Sequence, residues 1–258
     1  MDALMERHTA PILPSRDNFA VEMCWRNLLF CHWPIRAEAL RRLIPPPLEI
    51  ETFDGWAWIG IVPFHLTIRY RRIPLAISFP EVNVRTYVRH RDKSGVWFLS
   101  LHAESRLAVN VARWRYQLPY HLAKMSMHTR QSAEATAIHF ESRRRSKRLG
   151  HGRAASKAAL KIDYHPTGNQ FTAEPGSLEH WLIERYQLFA ADRHGNIASG
   201  RIHHPPWQLQ TAEAEIAINS MLHPLGVTTP DTPPLLHFSR NVNCVAWKLR
   251  WTDSAAGV

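Results

Sequence analysis

The chain reads as an α+β domain dominated by a large, curved antiparallel β-sheet. Three observations lead there. Apolar residues alternate with polar ones in the runs His65 to Arg72 and Val82 to His90, the period of half-buried strands. Turn-forming residues, Asp54-Gly55 above all, sit between such runs as hairpins require. Helical spacing is confined to short stretches, and no repeat, low-complexity linker or composition step divides the chain.

In chain order, Val21 to Phe30 is apolar enough for a buried strand, and His32-Trp33-Pro34 turns the chain. Ala39, Leu40, Leu43 and Ile44 give Arg36 to Ile44 the face of a short amphipathic helix. Pro45, Pro46 and Pro47 stop it, because each lacks an N–H and clashes with the preceding turn. Leu48 to Phe53 and Trp56 to Pro63 form a hairpin about Asp54-Gly55. Lys93-Ser94-Gly95 turns into Val96 to Ala103, and the segment carrying Arg113 and Arg115 reads as a further strand before a bend at Pro119. Lys124 to Arg130 pairs with Thr136 to Arg143, and Gln170 to Ala173 adds a short strand. Ser177 caps the clearest helix, which carries Leu178, Trp181, Leu182 and Arg185 on one side and ends near Phe189. Asp192 to Gly195 turns into a strand over Ile197 to His204, which Pro205-Pro206 breaks. Gln208 to Ile218 fits helix or strand, and His237 to Leu249 is the last strand.

Composition sets the bounds. With 258 residues, 45% of them apolar and ten tryptophans, the chain supports one packed domain over residues 18–252, flanked by an arm at 1–17 and a tail at 253–258. No run approaches the roughly 20 apolar residues of a membrane span, and the N-terminus lacks the apolar core of a secretory signal. Cys24, Cys31 and Cys244 form no metal or disulfide pattern and suit buried free thiols in a reducing cytoplasm. Most of the net charge of +10 lies in an acid-free segment, residues 143–161, from Arg143 to Lys161. Such a run fits a solvated loop or insertion, or a patch for an anionic partner. No aromatics interleave with it, so a nucleic-acid platform is not expected.

Several residues could carry chemistry. Glu81, Asn83 and Arg85 share one face of a strand, either solvated or turned toward a ligand. Arg113 and Arg115 share another. His203 and His204 are adjacent on a strand and point to opposite faces, so one metal ion cannot easily take both. His204 and Trp207 fit pocket or packing roles, and Glu184-Arg185-Tyr186 fits a structural ion pair on the helix or, second, a contribution to the pocket. No metal motif, nucleotide loop or nucleophile elbow is present, and no cofactor is expected.

The central segment resembles that of the acetoacetate decarboxylase superfamily. There a Gly-Arg-Glu strand end is followed by Pro-Lys-Lys-Leu-Gly, whose first lysine forms a Schiff base. Here the matching residues are Ala112-Arg113-Trp114 and Pro119-Tyr120-His121-Leu122. The likeness covers residues 20–130 and includes Ala39-Leu40 to Pro47-Leu48 and Glu81 after Phe79-Pro80. The whole chain more closely resembles the YqjF-like family of uncharacterised bacterial proteins, a branch of that superfamily. The matching motifs include Phe30-Cys31-His32-Trp33-Pro34, Phe53-Asp54-Gly55-Trp56, Glu81 to Val88, Leu118-Pro119-Tyr120 and His203-His204-Pro205-Pro206-Trp207.

The resemblance implies a partly closed barrel with a few flanking helices and a pocket into which Glu81 points, paired with Arg113. It also implies that Tyr120 stands where the Schiff-base lysine belongs and His121 where the second lysine does. A phenol cannot form an imine. Lys124, the nearest primary amine, matches a more distal position. The expected function is therefore a pocket for a small carboxylate or carbonyl ligand, worked without imine chemistry. Asn83, Arg85, Arg113, His204 and Trp207 would bind. Any catalysis would be lyase or isomerase chemistry, with Glu81 as base and Tyr120 or His121 as acid. The alternative is a non-catalytic protein that engages an anionic partner through the basic segment. Sheet edges would permit a homo-oligomer.

Overall fold

The structure is a computed structural model, and it describes residues 19–71, 76–106, 109–110, 117–131, 136–144 and 158–251. Thirteen strands make one sheet. They are β1 (Val21–Ile35), β2 (Glu49–Ile50), β3 (Ala57–Tyr70), β4 (Ala76–His90), β5 (Lys93–Ala103), β6 (Tyr120–Gln131) and β7 (Thr136–Arg144). There follow β8 (Ala159–Phe171), β9 (Gln187–Ala191), β10 (Ile197–His203), β11 (Leu209–Asn219), β12 (Leu235–Ala246) and β13 (Arg250–Trp251). Among the described residues, the short helices α1 (Ala37–Arg41) and α2 (Leu178–Ile183) and a 3-10 turn at His223–Leu225 flank it.

The sheet closes on itself twice. One ring runs β5-β6-β7-β8-β11-β12-β1-β3-β4 and returns to β5 through the β4–β5 ladder. The other runs β5-β9-β10-β12-β1-β3-β4 and uses the same ladder. The two diverge because β5 and β12 each split one edge between two partners. Val96 and Trp97 of β5 pair with β9, whereas Leu101 to Ala103 pair with β6. Likewise Phe238 of β12 pairs with β11 and Val245 with β10.

Strands β1, β3 and β4 are thus a wall between two cores, and their sequences show it. Cys31, Ile59, Ile61, Val82 and Val84 face one core, whereas Leu28, Phe30, Val62, Phe64 and Phe79 face the other. Burial on both faces explains why these strands read as nearly continuous apolar runs. On the second face of β4, Glu81 and Asn83 are buried among apolar neighbours. These side chains face a cavity and not solvent.

Several elements differ from expectation. His32-Trp33-Pro34 continues β1, with Pro34 opposite Trp58 of β3, because β12 pairs with β1 only as far as His32 and leaves Pro34 on an edge. The Asp54-Gly55 turn exists, with φ of 50° and 80°, and Phe53 and Trp56 exchange both backbone bonds across it. The hairpin stops there, because β2 pairs with β4, where Glu49 meets Arg89. Trp56 to Pro63 and His65 to Arg72 belong largely to one strand, β3. Arg91 (φ 57°) and Asp92, not Lys93 to Gly95, turn between β4 and β5.

After β5 the chain is not a strand at Val109, whose N–H donates to the carbonyl of Ser105, a helical bond. Arg113 and Arg115 lie outside the described residues, as do the arm at 1–17 and the tail at 253–258. The ends of the basic segment are strands: Arg143 and Arg144 close β7, and Lys161 in β8 pairs with Glu141 at 3.2 Å. Residues 145–157 are outside the described set. Helix α2 has the expected cap, Ser177 Oγ accepting from the His180 N–H at 3.2 Å, but it ends at Ile183, and Gln187 already begins β9.

Candidate functional site

A cavity of about 180 Å³ lies inside the smaller ring. Its walls come from alternate residues of consecutive strands: Val62, Phe64 and Leu66 of β3, Phe79, Glu81, Asn83 and Arg85 of β4, and Val96, Phe98 and Leu101 of β5. The odd spacing from Phe98 to Leu101 reflects a register shift between β4 and β5, an extra residue on β5 that reverses its alternation. Tyr120 enters from the start of β6, Arg185 and Gln187 from the chain after α2, and His204 and Trp207 from the segment after β10.

Glu81 is 3% exposed, and burial raises its carboxyl to about 8, partly offset by a hydrogen bond from Tyr120. The Tyr120 hydroxyl donates to Glu81 Oε2 at 2.9 Å. At neutral pH most of this acid is therefore protonated, and its ionised fraction is poised near working pH, the condition for general acid–base work.

Arg85 supplies the complementary charge. Its Nε and Nη2 atoms are buried and have no hydrogen-bond partner among the described residues. Those two N–H bonds run parallel on one edge of the guanidinium, the geometry that grips a carboxylate with two bonds. Arg89 uses the same two nitrogens on Glu49 elsewhere in the molecule. The Arg85 guanidinium also lies over Phe30 at 5.1 Å and Tyr87 at 5.8 Å. Arg185 is differently committed: it pairs with Glu51 at 2.6 Å, donates to the Trp181 carbonyl at 2.7 Å and lies over the Tyr87 and Trp181 rings. Behind Arg85, the Tyr87 hydroxyl meets His32 Nε2 at 2.7 Å, and burial holds the His32 imidazole well below its usual range.

The structure thus brings Glu81, Asn83, Arg85, Tyr120, His204 and Trp207 to one cavity. Trp207 stacks on Trp25 at 5.6 Å, and buried His204 stacks on Tyr186 at 4.5 Å. His121 is placed differently. Strand alternation separates it from Tyr120, and its ring meets the edge of His102 at 5.9 Å, outside the cavity lining. Glu184 and Arg185 do not pair with each other, because α2 has ended and the chain turns them apart. Glu184 accepts from the Tyr186 hydroxyl and from the Trp207 N–H, and Arg185 takes Glu51.

His203 faces an outer groove and His204 the cavity, so the pair is split as adjacent residues are. Among the described residues no group of three or more His, Cys, Asp or Glu is arranged to hold a metal. Lys124 is exposed on β6, beyond the three residues that pair with β5, and no lysine lines the cavity among the described residues. Gln187 was not expected in the site, and Arg185 enters it as the second reading of the Glu184-Arg185-Tyr186 run, a pocket contribution. The Glu184-Arg185-Tyr186 run marked their neighbourhood, but only the early end of α2 turns them inward.

A doubly closed sheet with a cavity between strands and short helices defines a protein of the acetoacetate decarboxylase-like fold. The chain matches the enduracididine biosynthesis enzyme MppR complexed with pyruvate at a TM-score of 0.61 and 11% identity, over 94% of this chain and 92% of that one. It matches an acetoacetate decarboxylase-like enzyme from Sphingomonas wittichii RW1 at 0.60 and 12% identity, over 95% and 99%. Against the acetoacetate decarboxylase of Legionella pneumophila the values are 0.57 and 10%, over 100% and 98%. Within that fold the chain belongs to the DUF2071 family of uncharacterized conserved proteins, whose model matches residues 22–243. It is 41% identical over 230 residues to the uncharacterized protein YqjF of Bacillus subtilis (strain 168), covering 88% of this chain and 90% of that protein.

Proposed function

We propose that this chain binds a small organic acid bearing a carbonyl group and moves a proton on it without forming an imine. The observation that carries this reading is the unpartnered Nε/Nη2 edge of Arg85, held in the same apolar cavity as the Glu81–Tyr120 pair. Leaving buried donors unbonded costs about 1–3 kcal/mol each, and a carboxylate would satisfy both at once. The ionised form of Glu81 would take a proton from carbon next to the carbonyl and, once protonated, would release the Tyr120 hydroxyl to turn and donate to the oxygen that gains charge. This is lyase or isomerase chemistry. The pyruvate named for the MppR complex supports the acid class.

Calorimetric titration with a series of 2-oxo acids tests it. Arg85→Gln should weaken binding of every acid by about 10-fold or more, since a charged double hydrogen bond is lost. Unchanged affinity in the variant would end the reading. For any acid that is turned over, kcat/KM should climb with pH through about 8, as Glu81 ionises.

A further inference from the structure

Resting on that reading, we infer that the ligand is a monocarboxylate with a sizeable hydrocarbon body, a branched or aromatic oxo acid and not one the size of pyruvate or a dicarboxylate. The charge balance fixes one carboxylate. Arg185, the other arginine of the deep cavity, already pairs with Glu51, which leaves the Arg85 fork as the unmatched cationic site there. Arg201 is exposed at the rim, over Trp247. A second carboxylate would meet only Arg185, whose charge Glu51 already balances although its Nη2 is unpartnered, or the exposed Arg201 at the rim, and elsewhere would desolvate against apolar walls, which is costly.

The size follows from the space. An apolar cavity of roughly 150 Å³ takes up benzene, and this one is about 180 Å³. A six-atom acid is no larger than benzene, and half of its atoms are oxygens, so it would leave the apolar walls largely unmatched. The walls around the remainder are hydrocarbon: Val62, Phe64, Leu66, Phe79 and Phe98. The uncommitted neutral donors on the lining are buried too, Nε2 of Gln187 and Nε1 of Trp207. They suit a carbonyl oxygen on the same ligand, which needs donors and brings no charge.

Calorimetric titration of the full chain with pyruvate, 4-methyl-2-oxopentanoate, phenylpyruvate, 2-oxoglutarate and the neutral 4-methyl-2-pentanone separates the possibilities. Each buried methylene in an apolar pocket is worth a few-fold or more in affinity. The branched and aromatic monoacids should therefore bind at least 10-fold more tightly than pyruvate, and 2-oxoglutarate should bind at least 10-fold more weakly than they do. Phe79→Ala, which widens the apolar end six residues along β4 from Arg85, should shift preference toward the larger phenylpyruvate. Equal binding of pyruvate and phenylpyruvate, or tight binding of 2-oxoglutarate, would overturn the inference while leaving the acid-binding reading intact. Binding of the ketone with no response to any acid would sink that reading and this inference together.

Discussion

Glu81 is the residue on which most of the chemistry turns, and its environment makes a measurable demand. Its folded pKa, about 8, lies above the unfolded value near 4.5. Between those values the folded chain binds more protons than the unfolded one, so the Glu81 contribution is complete below about 4.5 and is lost as pH rises through about 8. The slope is about 1.4 kcal/mol per pH unit for one such group. Urea denaturation across pH 5 to 9 should therefore show Glu81→Gln gaining on the native chain as pH rises. Tyr120→Phe removes the bond that lowers the carboxyl, so its decline should extend to higher pH. Parallel curves for the native chain and Glu81→Gln would refute the buried-acid assignment. The alternation of Glu81, Asn83 and Arg85 is plain in the sequence, but which face is inside is not, because period two is silent about direction. Arg185 is harder still to see, since its inward turn depends on where α2 stops.

At the level of elements, close approach of strands decides the site's geometry. Gly60 of β3 pairs with Arg85 of β4 and His32 of β1 in the shared wall. A Cβ there would come within 2.9 Å of the His32 ring and 3.4 Å of Arg85 Cγ. Gly60→Ala should thus cost about 1–3 kcal/mol through overpacking and weaken acid binding by displacing Arg85. Thermal unfolding and titration of one sample check both, and normal affinity would show that Arg85 is not held by this contact. The same wall shows why elements were unevenly legible. Leu160, Ile162 and Tyr164 alternate clearly with Lys161, Asp163 and His165, yet β8 begins inside a basic run whose charge density suggests a loop. The hairpin about Asp54-Gly55 has the right turn chemistry, and tertiary pairing of β2 with β4 overrides its extension. The fork of β5 leaves no mark in sequence, because one strand edge pairs with two partners in succession.

Across the whole molecule, the two rings share β1, β3, β4, β5 and β12, and so they cannot part without losing the strands that line the cavity. The core outside the cavity and the wall inside it are opposite faces of the same residues' strands. Unfolding should accordingly be one transition, coincident by far-ultraviolet circular dichroism and tryptophan fluorescence. Tyr164 provides a remote handle. Its hydroxyl donates at 2.6 Å to the carbonyl of Asn27, whose φ of 50° marks the irregularity where β1 gains a residue on β3. Tyr164→Phe leaves that carbonyl without its bond and should destabilise the chain by about 1–2 kcal/mol. Because the wall is shared, the loss should lower the single midpoint and not split the curve. A bound acid should raise that midpoint by mass action in the native chain and the variant alike. A variant that melts in two steps, with only the later one responding to the acid, would show that the cavity ring stands without its neighbour.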